Sequence, residues 1–334
     1  MEVNQMKFMK KSLALLFAVV LVFSLSATAF ATGTDAATVT DKSTVNIVKN
    51  YVSTNGTAPD ASFTVEQVGD GKVTDGDATS APALGTITGV SYAAGETGKK
   101  NIVVNLPTYE KVGVYQYTLQ EVAGTVAGVT YKAETFVLKV QVTNGADGSL
   151  VRTPALYTDG TGTGVAKNDT IKNTYEGRDL SISKTVTGAY GDKTKYFTFT
   201  VTLTGETGKT YPETFAVNGG KYTNASIKLD EATTFELKDG DTITIANLPV
   251  GVSYKVSETA VTDYKTYVNG GTTEATSSEG SIAAGADSSV KFENVKDGTP
   301  ETGISLDSLP YVVILVVVLG GATVLFLRKR HAED

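Results

Sequence analysis

The 334-residue chain contains no cysteine and no tryptophan, and its single histidine, His331, lies close to the C-terminus. Without cysteine there is no disulfide and no thiol nucleophile, so any covalent brace must use other chemistry. One terminal histidine excludes Ser-His-Asp hydrolysis and histidine-ligated zinc from the body of the chain. The lack of tryptophan removes the preferred sugar-stacking side chain and weakens a carbohydrate-binding or glycosidase reading, although a paired-carboxylate glycosidase stays open. Positive charge is also scarce: 29 Lys and Arg stand against 36 Asp and Glu, a net charge of −7, which argues against a nucleic-acid partner. No cofactor or metal motif is present. The Asp-Gly cluster at 70–77 lacks the full pattern and closing glutamate of a calcium loop.

What is abundant is strand chemistry. From Val45 onward, short runs of Val, Thr, Tyr, Phe and Ile alternate with turns such as Asp70-Gly71-Lys72, Asn144-Gly145 and Asp239-Gly240-Asp241. No internal segment keeps a helical apolar period. An all-β fold of the β-sandwich class is expected.

The chain also repeats itself. Val45-Asn46-Ile47-Val48-Lys49 is echoed by Leu180-Ser181-Ile182-Ser183-Lys184, and Ser62-Phe63-Thr64-Val65 by Phe197-Thr198-Phe199-Thr200. The segment from Gly113 to Glu121 is echoed by Gly251 to Glu258, and Thr170-Ile171-Lys172-Asn173 by Val290-Lys291-Phe292-Glu293-Asn294. Two tandem copies of one β-domain, meeting near Glu176-Gly177, account for this. Alternate strand residues share a face, and in every copy the polar residue falls on the apolar side. Lys49 follows Val45 and Ile47, Glu121 follows Tyr117 and Leu119, and Asn173 follows Ile171; Lys184, Glu258 and Asn294 repeat the pattern.

A buried Lys or Glu costs several kcal/mol unless paired or neutralised. A strand-end charge that escapes to solvent, or an ion pair capped by asparagine, would explain any one strand. The matched set points instead to an intramolecular Lys-Asn isopeptide bond. An apolar pocket lowers the pKa of an amine and raises that of a carboxylic acid, which favours the neutral pair. A neutral amine is a nucleophile, and the acid, Glu121 or Glu258, would polarise the carboxamide and shuttle protons as ammonia leaves. Folding itself supplies the proximity.

The two ends carry different signals. Residues 1–31 read as a secretory signal peptide: Lys7, Lys10 and Lys11, an apolar stretch from Leu13 to Leu25, then Ala29-Phe30-Ala31. Near the other end, Thr299-Pro300-Glu301-Thr302-Gly303 precedes an apolar span over 309–327, expected as a transmembrane helix, and a basic tail over 328–334. An ordinary single-pass anchor is the plain alternative. The arrangement resembles the cell-wall sorting signal of Gram-positive surface proteins, an LPXTG-like motif with Thr299 in place of the leading leucine. That resemblance implies cleavage between Thr302 and Gly303 by a sortase.

The order Lys, Glu, Asn in each half, the phrase Asn247-Leu248-Pro249-Val250-Gly251-Val252-Ser253-Tyr254 and the sorting signal together resemble the sortase-assembled major pilins of the streptococcal T-antigen type. The resemblance spans nearly the whole chain after residue 31. It implies two immunoglobulin-like β-sandwiches, 32–176 and 177–297, ahead of the sorting signal at 298–334. It further implies Lys49-Asn173 and Lys184-Asn294 crosslinks, with Glu121 and Glu258 as their catalysts, and no enzymatic activity beyond self-crosslinking. Implied partners are a sortase, neighbouring copies joined from Thr302 to a lysine, peptidoglycan and minor pilins, at a secreted, wall-anchored location. The Tyr-Pro-Lys signature of other pilins is absent, since Tyr211-Pro212 is followed by Glu213. Lys167, six residues before Asn173, is the candidate linking amine. A monomeric wall-anchored adhesin built from the same domains is the rival.

Overall fold

The computed structural model describes residues 40–132, 135–157 and 169–298, together with 313–315, 317–319 and 322. The secretory stretch, the sorting pentapeptide and Lys167 lie outside the described residues, as does most of 309–327. Among the described residues no helix is long and apolar enough to cross a membrane.

The fold is almost entirely β. The first part of the chain contributes β1 (Thr44–Asn55), β2 (Ala61–Phe63), β3 (Val65–Gln67), β4 (Lys72–Gly76), β5 (Ile87–Thr88), β6 (Val90–Tyr92) and β7 (Gly98–Asn105). There follow β8 (Gly113–Glu121), β9 (Val129–Thr130), β10 (Thr135–Asn144), β11 (Leu150–Tyr157), β12 (Thr170–Thr187), β13 (Phe197–Thr204) and β14 (Phe215–Gly219). The last are β15 (Tyr222–Ile227), β16 (Thr233–Leu237), β17 (Thr242–Pro249), β18 (Ser253–Glu258), β19 (Lys265–Val268), β20 (Ser277–Ser281) and β21 (Ser288–Val295).

One strand organises the whole. β12 is 18 residues long, and its first part lies parallel to β1 while its second part lies parallel to β21 and antiparallel to β17. Along it the buried side chains switch from odd positions (Ile171, Asn173, Tyr175) to even ones (Leu180, Ile182, Lys184, Val186). The switch coincides with a register shift between Arg178 and Leu180, where both Arg178 and Asp179 are half-buried. One extra residue reverses which face is inward, so a single strand can serve two cores.

Those cores are separate. Ile47, Ile102, Tyr117, Leu138 and Ile171 belong to one, enclosed between the sheet β12-β1-β7-β5 and the sheet β11-β10-β8-β3. Ile182, Phe199, Val217, Ile245 and Phe292 belong to the other, between the β12-bearing sheet and the sheet β16-β13-β18-β20. A smaller aromatic cluster that includes Tyr51, Phe63, Tyr92 and Tyr175 sits at the end of the first core.

Where the two meet, Asn247 of β17 reaches back to the first part of the chain. It adopts a left-handed φ of 57°. Its amide accepts from Thr57 N–H (3.1 Å) and from the Tyr175 hydroxyl (3.3 Å), and donates to Thr57 O (2.9 Å). Gly177 makes room for it: a Cβ there would stand 2.3 Å from Asn247 Oδ1 and 2.6 Å from the Tyr175 hydroxyl. Replacing Gly177 with alanine is therefore expected to lower the stability of the folded chain by about 1–3 kcal/mol, the usual cost of overpacking. Chemical denaturation of the variant beside the parent chain measures it, and an unchanged midpoint would show that the notch is not tight.

Candidate functional site

The register of the parallel pairs explains how lysine meets asparagine. Lys49 on β1 stands opposite Ile171 on β12, and Lys184 on β12 stands opposite Phe292 on β21. In each case the asparagine, Asn173 or Asn294, is two residues beyond the partner. It therefore lies on the same face and diagonally adjacent, within reach of a long side chain. The glutamate arrives from the other sheet. Glu121 ends β8, paired with Val65, and Glu258 ends β18, paired with Phe199.

The six residues thus form two sets of three, and each residue is 4% exposed or less. In the first set, Lys49 Nζ donates to Glu121 Oε1 and to Asn173 Oδ1, and Asn173 Nδ2 donates to Glu121 Oε2 at 3.1 Å. In the second, Lys184 Nζ donates to Glu258 Oε2 at 2.9 Å and Asn294 Nδ2 donates to Glu258 Oε1. Asn294 Oδ1 is buried without a partner among the described residues. A half-turn of that amide would bring Oδ1 to Glu258 Oε1, a contact that is favourable only when the acid carries its proton.

The walls are aromatic. The Phe63 ring lies 4.1 Å from Lys49 Nζ, and the Phe197 ring 4.3 Å from Lys184 Nζ. A ring face attracts a cation, but loss of water dominates: burial holds the Lys49 amine below the ordinary lysine range against the opposing hydrogen bond from Glu121. For Lys184, burial outweighs the attraction of Glu258 and brings the amine down to about 8. Both lysines are thereby moved toward the uncharged, nucleophilic form.

Each sequence-expected triad member within the described residues lies in one of these two clusters. Lys172, next to Asn173, is exposed, as strand alternation requires. Sequence reasoning missed three groups. Phe63 and Phe197 were legible only as an unexplained Phe-Thr echo. The backbone N–H of Lys132, which donates to Glu121 Oε2 (2.7 Å), and the Tyr92 hydroxyl, which donates to Lys49 O (2.9 Å), carry no sequence signal. Among the described residues no group of three or more His, Cys, Asp or Glu could hold a metal ion.

Curled sheets in tandem, each bringing a lysine and an asparagine of neighbouring parallel strands together with a glutamate of the facing sheet, resemble the isopeptide-containing domains of pilins. Sequence and structure match the major pilins of the streptococcal T-antigen type. Residues 45–176 match the family described as "Spy0128-like isopeptide containing domain", and residues 178–296 one described as a domain of unknown function, DUF7601. A curated relative, the pilin of Streptococcus pyogenes serotype M1, is 29% identical over 322 residues, covering 88% of this chain and 93% of its own length. The pilus tip adhesin Cpa of Streptococcus pyogenes is 39% identical over 129 residues, which is 38% of this chain and 18% of the adhesin. The crystal structure of the major pilin from Streptococcus pyogenes superposes with a TM-score of 0.57 at 25% identity, covering 77% of this chain and all of that one. Forms of that pilin with a glutamate or an asparagine replaced by alanine superpose with TM-scores of 0.57 and 0.55.

The lowered amine makes a prediction. In an Asn294→Ala variant Lys184 is expected to keep a free amine, held by burial down to about 8 in the folded chain against 10.5 when unfolded. Between those values the unfolded chain binds more protons, so stability rises with pH from about 8 to 10.5, by roughly 3 kcal/mol in all, and this contribution is flat below 8. Denaturation of Asn294→Ala against a Lys184→Met, Asn294→Ala double variant isolates the group. Parallel curves in the two proteins would refute a depressed Lys184.

Proposed function

We propose that the chain is the structural shaft subunit of a covalently polymerised, wall-anchored pilus. In this reading its two immunoglobulin-like sandwiches, 32–176 and 177–297, each close one autocatalytic isopeptide bond. The carrying observation is the duplication of a buried Lys-Glu-Asn set at the same strand offset in both halves. One buried ion pair is ordinary; two with the same carboxamide partner at the same register are not.

The chemistry balances without a cofactor. The neutral lysine amine attacks the asparagine Cγ, a new N–C bond forms, the Cγ–Nδ2 bond breaks, and ammonia leaves. Glu121 or Glu258 lends its proton to the carboxamide and recovers one from the attacking amine. The neutral amine with neutral acid holds the same number of protons as the ion pair, so the reactive form is reached by moving one proton inside the pocket. Well-aligned groups gain up to roughly 7–11 kcal/mol from proximity alone.

The sorting signal at 298–334 gives the chain to a sortase, which cuts after Thr302 and passes the acyl group to a lysine of the next copy, or finally to peptidoglycan. Lys167 is the proposed acceptor. Minor pilins would join by the same chemistry. The 38% of the chain that is similar to a tip adhesin keeps a second reading alive, a monomeric adhesin with the same domains.

Three outcomes are expected. Intact mass of the 32–298 fragment falls short of the sequence by two ammonia molecules; a mass equal to the sequence sinks the proposal. Glu121→Ala and Glu258→Ala each yield a folded domain that retains its ammonia, and normal bond formation in either variant would remove the glutamate from the mechanism. Wall extracts on denaturing gels give a ladder that disappears in Lys167→Arg, because guanidinium stays protonated. A single band from the parent chain favours the adhesin, and a persistent ladder in the variant assigns the link to another lysine.

A further inference from the structure

Resting on the bond-forming reading, a difference between the two triads bears on the order in which they react. In the first half, the short strand β9 pairs with β12 beside the target amide, Thr130 opposite Thr174 and Val129 opposite Tyr175. Two residues after Thr130, the Lys132 backbone N–H donates to Glu121 Oε2 at 2.7 Å. Glu121 is thus held by Lys49 at Oε1 and by Asn173 and a main-chain donor at Oε2. That donor is itself fastened to the strand that carries Asn173. Three residues therefore tie the orientation of the acid to the position of the carboxamide it must polarise.

In the second half, β19 takes the flanking place on β21, with Thr266 opposite Asn294. It sends no N–H to the acid. Among the described residues the Glu258 carboxyl meets only Lys184 and Asn294. Among the described residues Lys49 Nζ contacts both its glutamate and its asparagine, whereas Lys184 Nζ hydrogen-bonds its glutamate alone and Asn294 Oδ1 has no partner. Both amides present Nδ2 to the acid, so the difference lies in the amine and the carboxyl: Lys49 Nζ already reaches its amide, and Glu121 alone is held by a main-chain donor.

We propose that the Lys132 backbone N–H is a positioning group for Glu121, and that the Lys49-Asn173 bond consequently closes before the Lys184-Asn294 bond. A carboxyl that is free to rotate spends part of its time in orientations that cannot serve the amide, and a fixed donor removes them. A variant that keeps the N–H is expected to behave as the parent.

The test uses the full chain recovered unfolded, refolded in detergent at neutral pH, quenched at intervals and mapped for crosslinked peptides by mass spectrometry. The 49–173 crosslink is expected first. Replacing residue 132 by the hydroxy-acid analogue of lysine, which turns its N–H into an ester oxygen, should slow that bond about tenfold, the effect of one well-placed hydrogen bond. Lys132→Ala should leave the rate within about twofold of the parent. The 184–294 bond in the same molecules should be unchanged in both, which also reports that the chain has folded. Simultaneous closure, closure of the second bond first, or an ester that slows neither bond or both equally would overturn the proposal. Absence of any ammonia loss from the parent chain would instead overturn the bond-forming reading on which it rests.

Discussion

An amine and a carboxyl taken out of water, with a carboxamide beside them, are the interaction on which the rest of this structure depends. Charged, each would cost several kcal/mol to bury, and their mutual attraction only partly offsets that. The fold surrounds them with Phe63 or Phe197 and with the aliphatic rows of two sheets, so no water competes for their hydrogen bonds. The penalty is borne twice, at equivalent places. In the reaction proposed here, conversion of the lysine to an amide would remove it, since the product has no charge on the nitrogen. Burial that destabilises the precursor would thus also drive the proposed reaction.

The shared strand gives this chemistry its mechanical meaning. Asn173 and Lys184 sit on one continuous β12, eleven positions apart and on either side of the register shift. In the bonded form proposed here, a covalent path enters from β1, crosses to β12, runs along an already extended strand and crosses to β21. Most of both cores would be spared tension. By analogy with disulfides, closing loops of about 100 residues also takes roughly 4–5 kcal/mol of entropy from the unfolded chain. Asn247, seated between Gly177 and Thr57, fastens the two halves beside that path.

The second half matches a family described only as a domain of unknown function, yet its lysine and asparagine keep the offset found in the first half. That shared offset is what supports the same proposal for the second half. The two halves are not copies in detail. β9 brings a main-chain donor to Glu121, and β19, in the corresponding place beside β21, brings none to Glu258. Surroundings that differ by a single N–H can separate the behaviour of identical triads.

Much of this was legible in the sequence. The all-β character, the duplication and the inward-facing polar residues follow from the two-residue period of a strand, a local property that survives in any tertiary context. Absent cysteine and a lone histidine near the C-terminus by themselves narrow the chemistry. Tertiary structure alone decided the parallel register that sets Lys49 against Ile171, the approach of Glu121 from the facing sheet, the Lys132 N–H and the inward switch of β12 between Tyr175 and Leu180. These depend on pairings over long sequence separations and on main-chain groups that nearly every residue possesses, so no pattern of side chains along the chain encodes them.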